Sequence, residues 1–111
     1  MIIFSTDFDG TLCENKWPDI GKPNTRLIWY LIAAKSNGHK IILNTMREGE
    51  MLDKAVDWCK LHGLEFDAIN DNLQVMKDFY GNNPRKIYAD YYLDDHNALC
   101  GLGKKLPGMK K

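Results

Sequence analysis

The sequence predicts an α/β domain built on a mainly parallel sheet, and three observations predict it. Short apolar runs alternate with longer segments of helical periodicity. Glycines and other turn formers separate most of these segments. Polar residues, carboxylates above all, cluster directly after the apolar runs. The 111 residues suffice for one compact domain, expected over residues 1–103, followed by a basic tail at 104–111.

Residues 2–6 begin with Ile2-Ile3-Phe4 and read as a buried first strand. Residues 8–23 contain turn formers and two prolines, Pro18 and Pro23, and read as a loop. Asn24 is placed to cap a helix running to about Asn37, with Leu27, Ile28, Leu31 and Ala34 on one face. Lys40 to Thr45 is the second strand. Glu50 to His62 is a second helix, whose Leu52, Ala55, Val56 and Cys59 follow the i, i+3, i+4, i+7 pattern. Phe66 to Ile69 is a short third strand. Asn72 to Tyr80 reads as a helix with Val75, Met76, Phe79 and Tyr80 inward, and Gly81-Asn82-Asn83-Pro84 as a turn. Ile87 to Leu93 is the fourth strand, and a short helix is expected before Pro107.

Hydrophobic residues make up 44% of the chain, enough for a core. Fifteen Lys and Arg balance fifteen Asp and Glu, so charge argues for neither nucleic acid nor a membrane as partner. Cys13, Cys59 and Cys100 are three, widely spaced and without a CxxC pair. They suggest neither zinc nor a disulfide frame and fit a reducing compartment. With no leader or spanning segment evident, a cytoplasmic location is expected.

The run Asp7-Phe8-Asp9-Gly10-Thr11-Leu12 directly follows the first strand. In a continuing strand the side chains of Asp7 and Asp9 would face one spot. If the backbone turns at Phe8, one carboxylate and one neighbouring carbonyl could share a cation instead. Gly10 permits a sharp turn, and Thr11 adds a hydroxyl donor. Thr45 and Arg47 follow the second strand, Asn70 and Asp71 the third, and Asp94-Asp95 the fourth. Ligands of open parallel sheets bind at the carboxyl ends of the strands. Carboxylates converging there call for a divalent cation, and all-oxygen donors favour magnesium.

With these residues assembled, the chain resembles the haloacid dehalogenase-like superfamily of phosphohydrolases. Asp7-Phe8-Asp9-Gly10-Thr11-Leu12 is similar to that family's first motif. Ile41-Ile42-Leu43-Asn44-Thr45 is similar to its second. Lys86 matches the lysine of the third, and Tyr91-Tyr92-Leu93-Asp94-Asp95 the fourth. The resemblance covers residues 2–97. It implies a three-layer Rossmann-like sandwich with strand order 3-2-1-4. Neither gap between motifs can hold the cap domain of larger members, so a capless form is expected.

The resemblance further implies that Asp7 is the nucleophile that forms an aspartyl-phosphate, and that Asp9 is the general acid and then base. Asp7, the Asp9 carbonyl and Asp94 would hold magnesium, with Asp95 ligating through water or orienting the others. Thr45 would donate to a phosphoryl oxygen, and Lys86 would offset charge. Around them, Arg47 could clamp a substrate anion or form a salt bridge. Asn15 and Trp17 lie in the loop after the first motif, and Trp17 could stack on a substrate ring or cover the core. Asn70 could line the pocket or cap the next helix, and Gly10 and Thr11 would contact substrate. The function expected is a magnesium-dependent phosphomonoester hydrolase acting on a small phosphorylated substrate. A phosphotransferase or mutase on the same scaffold is the alternative, as is a non-catalytic, receiver-like phosphate-binding module. Substrate identity and oligomeric state are left open.

Overall fold

The computed structural model of the chain describes residues 1–81, 83 and 87–94. Its elements run β1 (Ile3–Thr6), β2 (Cys13–Lys16), β3 (Asp19–Pro23), α1 (Thr25–Ser36), β4 (Lys40–Leu43), α2 (Gly49–Leu61), β5 (Ala68–Ile69), α3 (Gln74–Tyr80) and β6 (Tyr91–Leu93). Four strands form one sheet in the order β5-β4-β1-β6, and every pairing in it is parallel. β2 and β3 form a separate antiparallel pair.

β1 is buried along its whole length, and so are Ile41, Ile42 and Leu43 of β4. Central parallel strands are covered on both faces, which is why they read as unbroken apolar runs rather than alternating ones. The side chains still alternate by face. Phe4, Ile41 and Leu43 belong to one core cluster with Leu27, Ile28 and Leu31 of α1 and Ala55 and Cys59 of α2. Ile3 and Ile42 belong to a second cluster with Leu73 and Ala89. α1 begins where the side chain of Asn24 accepts a hydrogen bond from the Leu27 amide at 3.3 Å, satisfying one of the helix's orphan donors.

Register decides what lies at the sheet's carboxyl edge. Thr6 pairs with Leu43 on one side and Leu93 on the other, and Leu43 pairs with Ile69. The next residue of each strand is Asp7, Asn44, Asp94 and Asn70, so these four follow one level of the sheet.

Several expectations are corrected. The segment 8–23 is not simply a loop, since it holds the β2–β3 hairpin. That hairpin is mostly exposed and polar, so no apolar alternation announces it, and Pro23 sits at its last position. Its backbones approach so closely that a Cβ on Gly21 would lie 2.5 Å from the Glu14 carbonyl oxygen. The two added strands also change the order from the expected 3-2-1-4 to 5-4-1-6 in whole-chain numbering. β5 and β6 are shorter than expected. α3 does not turn Val75, Phe79 and Tyr80 inward: they are 54%, 77% and 51% exposed, and only Met76 packs on the second cluster. A helix of seven residues has room for one anchoring turn, and Leu73, just before it, supplies the buried contact. Asn72 is buried beside it, and its side-chain Oδ1 accepts the Tyr88 amide at 2.8 Å, guiding the chain toward β6. Lys86, Asp95, the expected terminal helix and the tail at 104–111 lie outside the described residues. Among the described residues, no helix is long and apolar enough to cross a membrane.

Candidate functional site

The motif after β1 is a tight reversal. The Asp7 amide donates to the Leu93 carbonyl at 2.8 Å, continuing the β1–β6 ladder by one bond. There the strand ends. The Phe8 carbonyl accepts the amides of Thr11 at 3.2 Å and Leu12 at 3.0 Å, closing a turn over the buried Phe8 ring. Gly10 stands at φ 82° inside that turn, a left-handed conformation that disfavours any residue with a Cβ. Of the two arrangements open to the motif, the turn is therefore the one adopted. Asn24 ties the turn to α1: its amide donates to the Leu12 carbonyl at 2.8 Å and its side chain to the Thr11 carbonyl at 3.0 Å.

Asp7 is half-buried, and its Oδ1 accepts the Phe8 amide at 2.7 Å. Asp94, also half-buried, follows β6 at the matching level. Thr45 lies on the other side of β1, two residues past the end of β4. Its amide donates to Asn70 Oδ1 at 2.7 Å. Its Oγ1 accepts the Arg47 amide at 3.1 Å, which leaves the hydroxyl hydrogen to donate elsewhere. Asn70 is not the cap of α3, whose N-cap is Leu73. Instead Asn70 sits at φ 51° with its amide on the Leu43 carbonyl at 2.7 Å, and it shapes the loop that carries Thr45.

Of its two expected roles Arg47 takes the salt bridge, but a buried one rather than one on the surface. It does not reach out as an anion clamp, because its guanidinium closes on Asp9. Nε donates to Asp9 Oδ2 and Nη2 to Asp9 Oδ1, both at 2.8 Å. Nη2 also donates to the Asp19 carbonyl at 3.0 Å and Nη1 to that of Met51 at 3.4 Å. The Arg47 side chain is 1% exposed and that of Asp9 18%. The guanidinium carbon lies 5.0 Å from the centre of the Phe8 ring and 4.9 Å from that of Trp17, within cation–π range. The hydrogen bonds to Asp9 raise the Arg47 pKa above its ordinary value against the opposing effect of burial. Trp17 thus covers an arginine rather than the apolar core, and remains 57% exposed. Asn15 is exposed and accepts the Trp17 amide at 3.2 Å, within the hairpin. Thr11 is buried, and its Oγ1 has no hydrogen-bond partner among the described residues. It is closed off from solvent.

Among the described residues the cysteines are Cys13 and Cys59, both buried. Burial pushes the Cys13 thiol up, and pushes that of Cys59 up to about 12, whereas the nucleophilic species is the thiolate. Among the described residues no group of three or more His, Cys, Asp or Glu could hold a metal ion. Magnesium does not need one, since it takes one or two carboxylates and keeps several waters. Asp7 and Asp94, which follow adjoining strands at one level of the sheet, supply oxygen donors of the type such an ion takes.

Fold and site together define an α/β protein whose polar groups gather at the carboxyl edge of a parallel sheet. No protein-family model and no curated protein matches the chain. Among solved structures, a conserved protein from Bacteroides thetaiotaomicron is similar, at 36% identity over 86% of this chain and 77% of that one, with a TM-score of 0.75. The chain belongs to the family of that Bacteroides protein.

Proposed function

We propose that the chain is a magnesium-dependent phosphomonoester hydrolase of the haloacid dehalogenase-like type. The observation that carries this reading is the register that sets Asp7, Asp94 and the Thr45 loop side by side on three adjacent parallel strands. The four motif matches in order add to it. The reading takes the domain as that superfamily's three-layer, capless sandwich, its parallel strands ordered 3-2-1-4 when the hairpin is left uncounted.

In this reading an Asp7 carboxylate oxygen attacks phosphorus, and the bond from phosphorus to the leaving oxygen breaks. Asp9, in its protonated form, gives that oxygen its proton and becomes the carboxylate. Asp9 then takes a proton from water, which attacks the aspartyl-phosphate, releasing phosphate and restoring Asp7. Thr45 donates its hydroxyl hydrogen to a phosphoryl oxygen, and Lys86 is assigned to offset charge. Asp7, the Asp9 carbonyl and Asp94 would hold magnesium, with Asp95 supporting them. The ion supplies charge neutralisation between a negative nucleophile and a negative substrate.

The test is hydrolysis of p-nitrophenyl phosphate with magnesium present. Turnover is expected, and Asp7→Asn is expected to reduce it to background. Undiminished turnover in that variant, or none in the native protein across a panel of phosphate esters, overturns the reading. Transfer of the phosphoryl group to an added alcohol or sugar in place of water identifies a phosphotransferase instead.

A further inference from the structure

We infer that Arg47 is a positioning residue, which holds the Asp9 carboxylate in one orientation and ties that orientation to the β2–β3 hairpin and α2. The inference rests on the reading of Asp9 as the group that moves the proton.

Asp9 lies on a turn, where backbone alone leaves a carboxylate free to rotate about two side-chain torsions. Two-point attachment removes that freedom. Nε and Nη2 meet one carboxylate oxygen each at 2.8 Å, so the plane of the carboxylate follows the plane of the guanidinium. The guanidinium is itself fixed from several sides: by the Asp19 carbonyl in the hairpin, the Met51 carbonyl in α2, and the rings of Phe8 and Trp17. Each Asp9 oxygen accepts one bond from Arg47 and keeps lone-pair capacity with which to exchange a proton.

A buried ion pair is a poor device for stability alone, since apolar residues of the same volume commonly do as well. It is a good device for orientation. The Arg47 amide also donates to Thr45 Oγ1 at 3.1 Å, so one residue links the group assigned to the phosphoryl oxygens with the group assigned to the leaving oxygen. Lysine cannot substitute, because an ammonium reaches a carboxylate as a point and leaves its plane unset.

The experiment compares native protein, Arg47→Lys, Asp9→Asn and the double variant in p-nitrophenyl phosphate hydrolysis, at a temperature where circular dichroism shows each folded. Arg47→Lys is expected to lower kcat by about 10²-fold, the scale of a misplaced catalytic group, with KM nearly unchanged. In the Asp9→Asn background the same substitution is expected to add little. Independent, multiplying losses in the double variant, or full kcat in Arg47→Lys, overturn the proposal. A second arm needs neither turnover nor a folded variant. Three-bond couplings at Asp9 in the native protein are expected to report one side-chain rotamer, and averaged couplings overturn the proposal. Failure of the hydrolase reading would show as loss of dependence on Asp7 while the Asp9 couplings stay fixed, so the two failures are distinguishable.

Discussion

Replacing Arg47 with methionine isolates the energetics of the buried fork. Methionine keeps an apolar stem between Phe8 and Trp17 and removes the charge. Two charge-assisted hydrogen bonds at 2.8 Å disappear, and the Asp9 carboxylate loses its ionic partner. Breaking a buried pair on one side costs about 3–5 kcal/mol. The Asp9 side chain is 18% exposed and can recover some hydration, which places the loss at the lower end, about 3 kcal/mol. A chain of this length has a stability of roughly 6–17 kcal/mol, so the variant still folds. At about 2.1 cal/mol/K per residue of unfolding entropy, the melting temperature falls by about 13 °C. Removing the second charge as well relieves the unpaired carboxylate. The double variant Arg47→Met with Asp9→Asn should therefore be more stable than Arg47→Met alone, with a coupling of about 2 kcal/mol. Urea unfolding followed by tryptophan fluorescence reads all four proteins. A loss below about 1 kcal/mol in Arg47→Met, or additive losses in the double variant, refutes the reasoning from a buried, desolvated pair.

Three further outcomes are expected. Asn70→Ala should be less stable than Asn70→Gly by about 1 kcal/mol, since only the alanine is strained at φ 51°. Both remove the acceptor of the Thr45 amide and should slow hydrolysis alike, and equal melting temperatures would count against the left-handed backbone. The Cys59 thiol titrates near 9.0 when unfolded and at about 12 when buried. Its contribution to stability is thus complete below about pH 9 and lost as pH rises toward 12, at about 1.4 kcal/mol per pH unit. Urea midpoints of the native protein should therefore fall more steeply over that window than those of Cys59→Ala, and parallel declines would refute this. Magnesium should raise the melting temperature of the native protein and leave that of Asp94→Asn nearly unmoved, with EDTA abolishing both the shift and hydrolysis. An equal shift in the variant removes Asp94 from the proposed ligand set.

The elements that were legible in the sequence are those whose burial is written in adjacent residues. Ile2-Ile3-Phe4 and Ile41-Ile42-Leu43 reveal β1 and β4 because both faces of a central strand are apolar. Leu27, Ile28, Leu31 and Ala34 reveal α1 because its one buried face repeats at helical spacing. The hairpin escaped because Glu14, Asn15, Lys16 and Asp19 are exposed, so its pairing depends on backbone bonds that composition does not record. The inward face expected for the helix over residues 72–80 failed for the opposite reason, as Val75 and Phe79 are apolar yet exposed. Asp7, Thr45 and Asp94 could be placed together because each follows an apolar run. The partnership of Arg47 with Asp9 could not, since 38 positions separate them. A signal did exist: a cation two residues past Thr45 must emerge at the same sheet edge as a carboxylate two residues past Asp7. Sequence shows the adjacency only after the strand order is known.

That partnership also divides the work among the carboxylates. Three acidic side chains, Asp7, Asp9 and Asp94, arise near one edge of the sheet, and without differentiation they would compete for the same cation and repel one another. Arg47 takes the Asp9 side chain out of that competition, with charge and geometry matched at two points. The carboxylates that the proposed mechanism assigns to a divalent ion are then Asp7 and Asp94, on strands held in register by the Thr6–Leu93 pairing. In the proposed mechanism Asp9 would contribute to the ion only through its main-chain carbonyl, and its side chain would be kept for the proton. The tight turn at Gly10 makes this separation possible. A continued strand would have pointed Asp7 and Asp9 to one spot, whereas the reversal at Phe8 sends the second carboxylate toward β4 and the arginine waiting there. In the proposed mechanism, nucleophile and proton shuttle are distinguished not by residue type, which is identical, but by the partner each meets once the chain has turned.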